Sequence, residues 1–131
     1  MNEAKNLLEE ARKAFACFDY PSSIVNSNKC IKLSVESVLE TLMFSSEESV
    51  DKLDDLRKRI DLDKPELCDL ARIKMIYHLW HGICALAEQG DPELNLPPVM
   101  IFRDREAELA LAHARELYYY CLHFIKRIAS R

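Results

Sequence analysis

The stretch DREAELALAHARELYYYCLHFIKRIA, residues 104–129, decides the fold class. Ala107, Ala110, Ala114, Leu117, Tyr118, Cys121, Ile125 and Ile128 recur at steps of three and four, which places them on one face of an α-helix. Asp104 is the expected cap at its start. The alanines on the inward face predict close contact with a neighbouring helix.

The same periodicity extends through the chain. Residues 2–18 carry Leu8, Ala11, Phe15 and Phe18 on one side, widened by Leu7 and Ala14, with Glu9, Glu10, Arg12 and Lys13 opposite. Asp19-Tyr20-Pro21 breaks this helix, and Ser22 or Ser23 is the expected cap of the next. That second helix, 22–44, has Ile24, Ile31, Val35, Val38 and Leu42 inward and is polar near its start through Asn26, Ser27, Asn28 and Ser34. Ser45-Ser46-Glu47-Glu48 matches a capping box and opens a third, shorter helix to about residue 60. Its run Asp51, Asp54 and Asp55 reads as a solvated face. Asp63-Lys64-Pro65-Glu66 opens a fourth helix that is predicted to run to Gln89 and stop at Gly90. Residues 91–103, with three prolines, form the one long loop, and its apolar residues predict that it packs down. The expected architecture is all-α, an up-and-down bundle of four long helices plus one shorter helix.

Composition narrows the function classes. The 131 residues make one domain spanning 1–131, long enough to bury a core. Only two glycines, Gly82 and Gly90, are present and they are isolated, so no Rossmann or phosphate-cradling loop exists. An apolar fraction of 49% with a net charge of -4 excludes intrinsic disorder. The sequence pI near 5.6 gives no global basic field for nucleic acid. No apolar run approaches the ~18 residues of a membrane span, and the polar start is no signal peptide, so no membrane association and a cytoplasmic location are expected. The five cysteines, Cys17, Cys30, Cys68, Cys84 and Cys121, form no CxxC pair and read as reduced, buried thiols acting as small hydrophobes. Neither a metal nor a cofactor is expected.

Several segments together resemble a known family. Lys5-Asn6-Leu7-Leu8-Glu9-Glu10-Ala11, the turn Asp19-Tyr20-Pro21 and Val35-Glu36-Ser37-Val38-Leu39-Glu40 resemble the first two helices of a HEPN domain (higher eukaryotes and prokaryotes nucleotide-binding). Arg105 to Glu116 resembles its closing helix, and Tyr77-His78-Leu79-Trp80-His81-Gly82 is similar to its archaeal members. The resemblance covers nearly the whole chain. It implies a helical bundle that forms a homodimer and is associated with RNA or nucleotides. Many such proteins are metal-independent endoribonucleases, often toxins paired with a nucleotidyltransferase antitoxin. Others are non-catalytic modules that bind a nucleotidyltransferase partner. The family's catalytic motif is Arg, four to six residues, then His, and Arg72 and His78 match it with five between.

The chemistry of that pair is coherent. Metal-free RNA cleavage needs a base for the 2′-hydroxyl, which suits His78, and a cation for the charged transition state, which suits the planar guanidinium of Arg72. Lys74 and His81 would assist, and Tyr77 would stack on a base. The residue after Arg72 is the apolar Ile73, where active members often place a polar one. On a continuous helix Arg72 and His78 lie about 120° apart. A kink between them or assembly across a dimer would be needed to join them. The competing reading makes Arg72 a partner in a buried ion pair and leaves His78 and His81 on a solvated face. His113 and His123 read as surface residues, and Trp80 as a core or dimer anchor. Of Tyr118-Tyr119-Tyr120, the first falls on the core stripe, so Tyr119 or Tyr120 is expected to be exposed.

Overall fold

The computed structural model describes residues 1–42 and 60–130. Their helices are α1 (Asn2–Ala16), α2 (Tyr20–Thr41), α3 (Lys64–His81), α4 (Cys84–Gln89), α5 (Pro98–Ile101) and α6 (Asp104–Ala129). Four are long, of 15, 22, 18 and 26 residues, and α4 and α5 are short, of 6 and 4. No strand occurs among the described residues beyond an isolated bridge between Asp91 and Leu96. The fold is therefore an all-α bundle. The expected third helix, with its capping box and acidic run, lies outside the described residues.

Helix α1 ends where Phe18 takes a φ of 62°, and this left-handed residue reverses the chain. The Asp19 amide then donates to the Ala14 carbonyl at 2.9 Å, closing the turn. The turn also removes Phe18 from the core stripe, leaving it 78% exposed, contrary to expectation. The cap of α2 is Asp19, not Ser22 or Ser23: its carboxylate accepts from the Ser22 amide at 3.3 Å, and Pro21 is tolerated in the first turn. Ser23 instead donates its buried hydroxyl to the Ala11 carbonyl at 2.9 Å, tying α2 to α1.

Helix α2 forms the centre of the bundle and packs most extensively on α6 and α1. Ala107, Ala110 and Ala114 are fully buried, as are Ser27, Cys30 and Ser34, so small residues occupy this part of the core on both helices. Burial pushes the Cys30 thiol up to about 11 and raises Cys121 as well. All five cysteines are free, but the expected burial holds only for Cys30 and Cys121; Cys17 and Cys68 are exposed and Cys84 is half-buried.

The expected capping box opens α3, with Asp63 accepting from the Glu66 amide at 2.8 Å and Glu66 from the Asp63 amide at 2.9 Å. Arg127 near the end of α6 reaches back to Asp63 at 3.0 Å and to the buried Glu66 at 3.7 Å. The expected single helix over 64–89 is broken at Gly82-Ile83, so α4 is a separate short helix ending at Gly90. In the 91–103 segment Phe102 is buried, but Leu94, Val99 and Met100 are about two-thirds exposed, so the loop packs down only in part. The first residue of α6 is Asp104 and Arg103 precedes it as cap position, with Glu106 accepting the Arg103 amide at 3.4 Å. No helix among the described residues is long and apolar enough to cross a membrane.

Candidate functional site

Helix α3 carries all five residues singled out by sequence, and the structure sends them in different directions. Arg72 faces α6. Its Nε donates to Glu116 Oε1 at 2.7 Å and its Nη2 to Oε2 at 3.2 Å, a bidentate fork, while Nη1 leans on Met75 Sδ at 3.8 Å. The Arg72 side chain remains 42% exposed, so the pair lies at the bundle surface rather than in its core. The hydrogen bond from Arg72 holds the Glu116 carboxyl below its ordinary value, and the same bond raises Arg72.

His78 is exposed, and the ring contact it makes is with the edge of Tyr77, centroids 5.9 Å apart. No contact joins it to Arg72 within the described chain. Helix α3 is continuous from Lys64 to His81, and its break lies beyond both residues. The helix is therefore not interrupted between them. Lys74 is half-buried. Tyr77 and His81 do meet: their rings stack at 5.3 Å with planes 13° apart.

Trp80 and His113 form a second tie between α3 and α6. Trp80 is 3% exposed, and its indole N–H donates to His113 Nδ1 at 2.8 Å. His113 is thus half-buried and bonded, not the surface residue expected from its spacing. Accepting at Nδ1 places the proton of the neutral ring on Nε2 and engages the Nδ1 lone pair with Trp80. Burial lowers its pKa, Arg72 lowers it further, and Glu116 works in the opposite direction.

This arrangement makes stability depend on pH. His113 in the folded chain takes up a proton less readily than in the unfolded chain, where the ordinary histidine value is near 6.5, so stability rises with pH through that window. The melting temperature is expected to climb from about pH 5 to about pH 7.5, and His113→Gln to flatten that climb. Equal slopes for the two proteins would show that His113 does not contribute.

Two hollows flank these ties. An open groove of about 830 Å³ runs between the start of α3 and the second half of α6, lined by Asp69, Tyr119, Tyr120, His123 and Lys126 among others. As the core stripe predicts, Tyr118 is buried and Tyr119 is 55% exposed. On the opposite flank a cavity of about 170 Å³ lies between α2, the end of α3 and α4. Tyr77, Trp80 and His81 form one wall, Cys84 and Glu88 another, and Asn28, Lys29 and Lys32 of α2 the third. Burial raises the Tyr77 phenol, helped by Glu36 and Cys84. Burial also raises the Cys84 thiol, helped by Glu88, toward which it donates at 3.7 Å, while Lys32 and Lys29 pull the other way.

Sequence reasoning missed Glu116 and His113, because their partners lie 44 and 33 residues away and leave no local signal. It noted Asn28 only as part of a polar stretch. Among the described residues no cluster of three or more His, Cys, Asp or Glu could hold a metal ion. No protein-family model matches the chain, and neither a curated protein nor a solved structure matches it.

Proposed function

We propose that this chain is a non-catalytic helical module, HEPN-like and RNA- or nucleotide-associated, that acts in the cytoplasm as a homodimer and docks a nucleotidyltransferase subunit. The observation that carries this reading is the bidentate pair between Arg72 and Glu116. A metal-independent endoribonuclease of the toxin type needs a guanidinium open to the phosphate and a histidine close to the 2′-hydroxyl. Arg72 commits its fork to a carboxylate that would itself repel an incoming phosphate. His78 leaves the same helix about 120° away. Met75, Leu79 and Leu109 are exposed on the two helices that the pair joins, and exposed apolar side chains suit a protein partner better than RNA.

The test is cleavage of a mixed RNA pool in EDTA, comparing the wild type with Arg72→Ala/His78→Ala. Neither protein is expected to cut. Cleavage by the wild type that the double variant loses would overturn this reading. It would establish the alternative, with Arg72 as phosphate clamp, His78 as acid or base, and Lys74, Tyr77 and His81 as RNA contacts.

A further inference from the structure

The bond between Trp80 and His113 cannot survive protonation of the imidazole. An indole has one polar hydrogen and no acceptor, so Trp80 can only donate. It donates to His113 Nδ1 at 2.8 Å, with the two rings edge to face and their centroids 6.0 Å apart. A neutral imidazole offers one acceptor nitrogen, and this bond uses it. The imidazolium carries a hydrogen on both nitrogens, so turning the ring over restores nothing. Protonation therefore sets two donors against each other at an indole that is only 3% exposed. A buried N–H without a partner is costly, and the chain relieves that cost only by bringing the indole edge to water or to another acceptor.

The other tie on the same seam withstands acid better. The charged groups that act on His113 are Glu116 of its own helix and Arg72 of α3. Helices α1 and α2 bury apolar and uncharged polar side chains and, at Cys30, a thiol pushed up to about 11. Glu116 is held by the bidentate bond from Arg72, which keeps its carboxyl ionised at lower pH than an ordinary glutamate. The ordinary histidine value lies about two units above that of a carboxylate, so acid reaches the Trp80 tie first and leaves the Arg72 tie in place.

Trp80 is the next-to-last residue of α3, and it also lines the cavity of about 170 Å³ between α2, the end of α3 and α4. Beyond it come the break at Gly82-Ile83 and α4, whose Cys84 and Glu88 form another wall. One side chain thus joins the α6 seam to the cavity.

We propose that the Trp80–His113 hydrogen bond is a proton-operated latch: at neutral pH it seats Trp80 in the cavity wall, and protonation of His113 frees the end of α3 from α6 and unseats that wall while the rest of the bundle stays folded. The inference stands on the bond and the cavity, and it holds whether or not the chain docks a nucleotidyltransferase.

Trp80 is the one tryptophan of the chain, so its signals report on this bond alone. In heteronuclear NMR spectra of the full chain, the single indole N–H cross-peak is expected to move in one step as the pH falls from about 7.5 to about 4.5, with its midpoint below the ordinary histidine value of about 6.5. Acrylamide quenching of Trp80 fluorescence is expected to rise at least about twofold across the same step, while the helical circular dichroism stays constant. His113→Gln supplies an acceptor that does not titrate, so its cross-peak is expected to hold still and its quenching to stay at the neutral-pH level. Trp80→Phe removes the donor that favours the neutral ring, so the midpoint of His113, read from its imidazole resonances, is expected to rise.

Equal steps in the wild type and His113→Gln would overturn the proposal. So would titration of the His113 imidazole with no movement of the indole, or an unchanged His113 midpoint in Trp80→Phe. Loss of the helical signal together with the step would overturn it as well, because the bundle would then be unfolding as a whole.

Discussion

Phe124→Ala is expected to lower the free energy of unfolding by about 3–5 kcal/mol, the usual cost of removing a fully buried aromatic ring. Phe124 is 0% exposed and is the largest fully buried side chain among the described residues. It belongs to α6, which packs against α1, α2 and α3. The loss therefore opens a cavity in the region where the four long helices meet. Against a typical total of about 5–15 kcal/mol, that is a large share. The melting temperature should fall by about 12–20 °C at roughly 4 °C per kcal/mol. Urea denaturation with an unchanged slope is the check, because it separates lost stability from a changed unfolded state. Ile125→Ala makes the contrast, since Ile125 is only half-buried and should cost much less. Comparable losses at the two positions would show that α6 is rotated from the orientation described.

That contrast also shows where sequence reasoning stops. The sequence stripe places Ile125 inward and omits Phe124, whereas Phe124 is the buried one; a three-or-four step from Cys121 admits both, and periodicity does not choose between them. The choice is made by the neighbouring helices, which face the side of α6 carrying Ala110, Ala114, Leu117 and Phe124. The four long helices were legible because each carries a sustained apolar stripe and, at α3, a complete capping box. The break at Gly82-Ile83 was not, because a single glycine within an apolar pattern is compatible with a continuous helix. The exposure of Leu94, Val99 and Met100 was equally hidden, since counting apolar residues in a loop does not say which way they point. For the site, the polar stretch at the start of α2 was visible, but not which of its residues the bundle buries. The partners of Arg72 and Trp80 were not, because helix-to-helix pairs depend on how the bundle closes.

Gly90→Ala is expected to be the most damaging change in the short α4 region, costing about 2–4 kcal/mol. Gly90 ends α4 with φ 73° and ψ -160°, a combination that essentially only glycine adopts. Forcing an L side chain into it costs about 1–3 kcal/mol. A Cβ there would also press on the Leu96 carbonyl oxygen and come within 3.0 Å of the Pro97 Cα, both parts of the backbone. That carbonyl accepts the Asp91 amide at 2.8 Å, and displacing it adds about 0.5–1.5 kcal/mol for the lost bond. Gly82→Ala provides the control. Its φ is -69° and a Cβ there meets nothing within 4 Å, so alanine should be neutral or stabilising by up to about 1 kcal/mol. The two variants also probe the cavity, because α4 carries Cys84 and Glu88 to its wall and Gly90 anchors the end of that helix. Amide hydrogen exchange should rise across 84–90 in Gly90→Ala and stay unchanged in Gly82→Ala. Equal protection in both variants would mean that α4 is held by its side chains alone, with Ala87 as its one buried anchor.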